Sequence, residues 1–278
     1  MRTTQLEIVL VNPETPQNVG AVARACRNFG VENLCIVGSP GITLDGAARA
    51  MAHACTDLLD RARCVDTLEE ALAPHAFALG TANRVRKTKL PPLKDPREVL
   101  PVLAQASTRG TCAIVFGCES RGLTDVDLAR CTLLLRIPTA IDQPSLNLSQ
   151  AVLSVVQDCW RWAEGIAVTP GSSGDTTTDS VTATGIDRSS LPESIGGDLE
   201  VPPTVGELEV LLRHAESLMG KAGFRPYAGD PETFRLAARR SLSRANFERR
   251  DLRTLLTMLK TLDRLEPPTE GLPRSRKS

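Results

Sequence analysis

The feature that most constrains this chain is an alternation of short, wholly apolar runs with helix-like stretches between Leu6 and Trp162. Leu6–Val11, Leu34–Val37, Phe77–Gly80, Ala113–Phe116 and Leu133–Ile137 have the length and composition of strands. Strand, helix, strand, helix is the order of a parallel α/β domain. Runs such as Ile8-Val9-Leu10-Val11 and Ile114-Val115-Phe116 are apolar on both faces, which suits a sheet covered by helices on each side. The first helix is predicted to start at Asn18 as N-cap, to present Val19, Val22, Ala23 and Cys26 on one face, and to end near Gly30 at C′.

The pattern stops after Trp162. Residues 165–205 are dominated by Gly, Ser, Thr, Asp and Pro with no sustained apolar period, which predicts a flexible linker. Periodicity returns in residues 206–278: Leu208, Leu211, Leu212, Ala215, Leu218 and Met219 form one helical stripe, and Leu252, Leu255, Leu256, Leu259 and Leu262 another. With a third helix around 231–245, this predicts a small helical domain after a larger α/β domain at 1–164. A unit that small gains stability by docking on a neighbour.

The formal net charge of zero conceals an uneven distribution. The linker has 1 Lys or Arg against 6 Asp or Glu, and residues 206–278 have 15 against 10. A local basic excess points to an anionic partner, because charge attraction is screened within ~8 to 10 Å at physiological salt. No run approaches the ~20 apolar residues of a membrane span, and the start lacks the apolar core of a signal peptide, so a cytoplasmic protein is expected. None of the eight cysteines forms a CxxC pair or another metal-ligand spacing. They are read as free thiols of a reducing compartment, and no metal is expected.

Three segments carry candidate chemistry. In NPETPQNVGAVAR, Asn18, Gly20 and Arg24 straddle a helix start after a parallel strand, at the sheet edge where α/β proteins bind ligands. Phe116-Gly117-Cys118-Glu119-Ser120-Arg121-Gly122-Leu123 follows another strand but lacks the Lys-Ser/Thr pair of a phosphate loop. Its two glycines predict a tight backbone loop that a flat ligand can approach. The third runs from Ile137 to Ser149, a strand end and polar loop entering a helix capped by Ser145 or Asn147. No GxGxxG is present, which argues against a dinucleotide enzyme.

In this order, each after a strand, the segments resemble the NxGxxxR, FGxExxGL and IPxxxxxxSLNxSxA motifs of the SpoU group of SPOUT RNA methyltransferases. The resemblance covers residues 5–163 and continues more weakly into the tail, whose ARRSLSRANFERRDLRTLLTMLK stretch is similar to the C-terminal extension of TrmJ-type tRNA (cytidine/uridine-2′-O)-methyltransferases. It implies a C-terminal trefoil knot in the α/β domain, which general rules of chain topology disfavour. It also implies S-adenosylmethionine as cofactor, tRNA as substrate, most specifically the ribose of nucleotide 32, and a homodimer in which Arg24 faces the cofactor of the other subunit. Another tRNA or ribosomal RNA ribose, or a catalytically silent RNA-binding protein, are the alternatives. Intact Arg24, Glu119, Ser145 and Asn147 favour the enzyme.

By the same resemblance the cofactor lies among Thr81, Ala82, Asn83, Gly117, Ile137, Pro144, Ser145, Leu146 and Asn147. Arg24 is the expected catalytic residue: its planar fork suits a bidentate phosphate contact, whereas a guanidinium that stays protonated is a poor base. The proton of the 2′-hydroxyl leaves through a phosphate, water or Ser145. Asn18 orders the backbone, Glu119 orients its loop or a polar neighbour, and Asn147 has either a binding or a structural part. Arg84, Arg86, Lys87 and Lys89 are read as a phosphate-binding cluster or a solvated loop. With Arg235, Arg239, Arg240, Arg244, Arg249, Arg250 and Arg253 of the tail they are expected to form a split RNA surface.

Overall fold

A computed structural model of the chain describes residues 2–83, 90–140, 142, 145–166, 203–223, 235, 237–239, 241–242 and 248–264. Its centre is a seven-stranded sheet in the order β3-β2-β1-β6-β4-β7-β5, every pairing parallel. The strands are β1 (Leu6–Val11), β2 (Asn33–Val37), β3 (Arg63–Val65), β4 (Phe77–Thr81), β5 (Leu93–Lys94), β6 (Cys112–Phe116) and β7 (Leu133–Leu135). The five apolar runs are thus strands. Edge strands β3 and β5 escape the pattern because they are three and two residues long and polar in part.

Helices cover both faces, as the apolar runs require. The period of two in β1 sends Leu6, Ile8 and Leu10 into one core and Val9 and Val11 into the other. The first core is closed by α1 (Pro16–Asn28), α2 (Gly46–Ala52), α3 (Thr56–Asp60), α5 (Pro96–Ser107) and α7 (Leu148–Ala163). The second lies under α4 (Leu68–Leu72) and α6 (Asp125–Ala129). Helix α1 begins earlier than Asn18: Thr15 is the N-cap and Pro16 fills the first turn, where its missing N–H costs nothing. Gly30 stands just past its end with φ +67°, as expected of a C′ glycine. Gly20 is set by packing, since an added β-carbon would overlap the carbonyl oxygen of Ala48 where α1 crosses α2.

Seven of the eight cysteines are buried, Cys64 is exposed, and all are free thiols. Among the described residues no helix is long and apolar enough to cross a membrane.

The tail docks on the main domain. Helix α8 (Val205–Lys221) opens with a capping box between Thr204 and Glu207. Its first N–H groups donate to sheet-domain carbonyls, Val205 to His75 at 2.8 Å and Gly206 to Ala73 at 3.1 Å. Val205, assigned by composition to the linker, is buried in the second core. Helix α9 (Arg249–Arg264) lies against α8 through the buried Leu252. Near the docking point, Glu7 of β1 accepts from Arg63 at 2.7 and 3.0 Å and pairs with His75 at 2.7 Å. Burial pushes this carboxyl up, but His75 and Arg63 outweigh it and hold Glu7 below the ordinary range.

Candidate functional site

The carboxyl ends of β1, β4, β6 and β7 share one edge of the sheet, and the three motif segments leave from them. The loop after β6 doubles back on itself. Gly122 donates its N–H to the Cys118 carbonyl at 2.9 Å and has φ +69°, a left-handed conformation that favours glycine. A β-carbon on Gly117 would overlap the backbone of Gly122 and Leu123. The bare α-carbon of Gly117 therefore admits the loop's own return, which makes the tight backbone loop that the sequence predicts, and both glycines line an adjoining cleft.

Glu119 is carried by this loop into the neighbouring one. Its Oε2 accepts the N–H of Glu14 at 2.9 Å, and its Oε1 accepts the N–H of Thr15 at 3.1 Å and the Asn18 amide at 2.8 Å. Burial raises the carboxyl's pKa, but the Asn18 amide and the backbone donors outweigh it, and Glu119 is held below the ordinary carboxylate range. The chain of bonds continues. Asn18 Oδ1 accepts from Asn147 Nδ2 at 3.0 Å, and Asn147 Oδ1 accepts the Ser149 N–H at 2.9 Å as the N-cap of α7. Asn18 is thus not a cap but the central link, and of the two cap candidates Asn147 takes the role. One hydrogen-bonded line joins all three motifs.

Beside this line opens a cleft of about 620 Å³, within the ~300 to 1,000 Å³ of small-molecule sites. Thr81, Ala82, Asn83, Gly117, Ser145 and Leu146 line it, with Phe116, Leu123 and Leu128 as apolar lining and Glu119, Ser120 and Arg121 at its polar side. The β4 end is fixed by Thr81 Oγ donating to the Val115 carbonyl at 3.0 Å and by the Ala82 N–H donating to Leu135 at 3.0 Å. The Cys118 thiol is pushed up by burial but held below its ordinary value by hydrogen bonds with Ser120 and Arg121.

Not every candidate reaches the cleft. Ile137 packs against the first core, and Asn147 turns to Asn18 instead of lining the cavity. Arg24 is exposed on α1, does not line the cleft and has no hydrogen-bond or ion-pair partner among the described residues. Pro144, Arg84, Arg86, Lys87, Lys89, Arg240 and Arg244 lie outside the described residues.

Several tail cations have acidic partners on or near α8. Arg235 binds Glu216 with two bonds of 2.7 Å, and Arg249 pairs with Glu207 at 2.9 Å. Arg239 pairs with Glu209 at 3.0 Å with side chains only 12% and 10% exposed, and burial pushes the guanidinium down. That contact is close but off the hydrogen-bond direction, so Glu209 Oε1 is charge-paired without a hydrogen bond. These side chains brace the tail, and Arg239 is not presented at the surface as the cation count suggested. Sequence reading also missed Glu14, Ser120 and Ser149 at the site. Ser149 is a fixed position of the third motif, while the only sequence signal of Glu14 and Ser120 is adjacency to motif residues.

The same segments decide the lineage, since residues 5–156 match the model of the SpoU rRNA Methylase family. The chain belongs to this family. It is 30% identical over 260 residues, 93% of this chain and 91% of the relative, to the tRNA (cytidine/uridine-2′-O-)-methyltransferase TrmJ of Yersinia pestis (strain Pestoides F). The Cronobacter sakazakii protein of the same name is 33% identical, with 93% and 96% covered. The tRNA (cytidine/uridine/adenosine-2′-O-)-methyltransferase TrmJ of Pseudomonas aeruginosa is 42% identical over 58% of this chain and 63% of its own length. Among solved structures, TrmJ from Z. mobilis ZM4 superposes with a TM-score of 0.70 at 26% identity, covering 92% of this chain and 98% of that one. The similarity to TrmJ proteins therefore extends past the SpoU domain into the tail.

Proposed function

We propose that this SpoU-family protein transfers a methyl group from S-adenosylmethionine to a tRNA ribose 2′-hydroxyl, at nucleotide 32 of the anticodon loop, on cytidine and also uridine. The observation that carries the reading is the line Glu119–Asn18–Asn147, which locks three motif loops around one cleft. Similarity to TrmJ proteins over more than nine-tenths of the chain favours a tRNA over a ribosomal RNA ribose.

The cleft fits the cofactor in size and kind, with backbone loops at strand ends for an adenine edge and apolar side chains behind them. Thr81, Ala82, Asn83, Gly117, Ser145 and Leu146 would hold it, and bound there it supplies a methyl group on a sulfonium. The residues' task is alignment, because an in-line displacement gains most from fixed geometry. Asn18 and Asn147, each held on both sides, fix the cleft wall, and Glu119 sets the angle between loops. Arg24 clamps a phosphate beside the reacting ribose and polarises the hydroxyl. Its exposed position away from its own cleft supports a homodimer in which Arg24 of the partner subunit completes the site. We further propose a trefoil knot in the C-terminal part of the α/β domain and a cytoplasmic location. Two-domain organisation with an acidic linker is part of the same reading.

The test uses tRNA transcripts and isotopically labelled cofactor. Label should enter a wild-type transcript and be lost when ribose 32 is replaced by 2′-deoxyribose. Undiminished labelling of the deoxy transcript refutes the target assignment, and labelling of ribosomal RNA alone refutes the substrate class. Mixing Arg24→Ala with Ser145→Ala chains should restore some activity, and no restoration in verified mixed dimers refutes the shared site.

A further inference from the structure

Glu14 belongs to none of the three motifs, yet it is tied to two successive residues of the cofactor loop. Its N–H donates to Glu119 Oε2 at 2.9 Å, and its side-chain Oε1 accepts the Ser120 hydroxyl at 2.6 Å. The neighbouring Thr15 N–H adds a bond to Glu119 Oε1 at 3.1 Å. Ser120 lines the cleft, while Glu14 sits in the loop that leads directly into α1, the helix of Asn18 and Arg24. The two loops are 105 residues apart in sequence and meet through these side chains.

An exposed carboxylate at an edge proposed to receive RNA would repel phosphate, so phosphate binding does not account for Glu14. Its geometry is that of a clasp. We infer that Glu14 is a positioning residue: by holding Ser120, it links the cofactor loop to the loop that enters α1 and so couples cofactor binding to tRNA binding. A cofactor touching Ser120 orders residues 117–123, and through the clasp it also orders residues 12–15 before RNA arrives. The second ligand then meets a loop whose ordering has already been accomplished, which is positive cooperativity without a large movement. This inference rests on the methyltransferase reading.

The test measures the tRNA Kd of the full chain with and without saturating S-adenosylhomocysteine. The wild-type protein should bind tRNA about 5-fold or more tightly with it, the lower range of allosteric coupling. Glu14→Ala and Ser120→Ala should each reduce the ratio to below about 2-fold, and the double variant should add nothing, because both remove one bond. Glu14→Gln retains a carbonyl oxygen for the Ser120 hydroxyl and should keep the wild-type ratio. A wild-type ratio near 1 overturns the inference, as does a Glu14→Ala protein that keeps full coupling or a Gln variant that behaves like Ala. Glu14 and Ser120 are exposed, so the variants should fold, which a thermal melt verifies. A wild-type chain that binds neither ligand sinks the methyltransferase reading and this inference with it. Intact binding of both ligands without coupling sinks the inference alone.

Discussion

Replacing Glu119 by Ala removes the acceptor of three donors, the N–H groups of Glu14 and Thr15 and the Asn18 amide. A hydrogen bond to a charged group contributes about 1.5 to 3 kcal/mol when desolvated. Here the site is only partly buried and water can replace the carboxylate at the Glu14 N–H, so the total should resemble one such bond, about 2 to 3 kcal/mol. The loss spreads, because Asn18 also holds Asn147 at 3.0 Å. Cofactor affinity should therefore fall about tenfold or more, near 1.4 kcal/mol. Glu119→Gln should fare little better, since its amide nitrogen would face one of the N–H donors. The sign of the pH dependence follows from the depressed carboxyl. Its stabilisation is fully present above the unfolded value of about 4.5 and is lost as pH falls through the lower folded value. Denaturant melts of wild type and variant, from neutral pH into acid, should thus differ by a constant amount that shrinks below pH ~4.5. Equal stability and cofactor affinity at neutral pH, or a gap that widens in acid, would refute the reasoning.

Other variants separate catalysis, loop geometry and tail docking. Arg24→Lys keeps the charge but loses the bidentate fork, so single-turnover methyl transfer at saturating tRNA should fall by about 10² with cofactor affinity unchanged; a near-native rate would remove Arg24 as the catalytic residue. Gly117→Ala must open the loop against the backbone of Gly122 and Leu123, at a cost of about 1 to 3 kcal/mol, and calorimetry should show at least tenfold weaker cofactor binding. Arg239→Ala leaves Glu209 buried without its partner, a loss of about 3 to 5 kcal/mol that should free α8 to proteolysis, and unchanged digestion would contradict the docking. Arg253→Ala should reduce the slope of log affinity against log salt by about 1 if this exposed cation meets a phosphate, whereas Arg249→Ala, engaged by Glu207, should leave it unchanged.

The parallel sheet was legible because its longer strands are apolar on both faces, a pattern that only burial between two helical layers satisfies. Strands β3 and β5 were not, since Arg63–Val65 and Leu93–Lys94 are too short to show a period and take their pairing from β2 and β7. The start of α1 was misplaced because Asn18 is a good cap residue by type. Thr15-Pro16 was the better local signal, and the Asn18 side chain is claimed by Glu119, 101 residues away. Such a contact has no trace in local propensity. The tail shows the opposite error, in which cations were counted without their partners: Glu207, Glu209 and Glu216 lie on α8, where they bind Arg249, Arg239 and Arg235. Composition likewise hid Val205, one apolar residue at the end of a polar stretch that begins a helix and fills the second core.

The central claim is most directly tested by nucleoside mass spectrometry of tRNA incubated with the purified chain and isotopically labelled S-adenosylmethionine. The account predicts a labelled 2′-O-methylated nucleoside with an unmodified base, mapped to position 32 and absent with Arg24→Ala. Label on a base, or full ribose labelling by the Arg24→Ala protein, would contradict it.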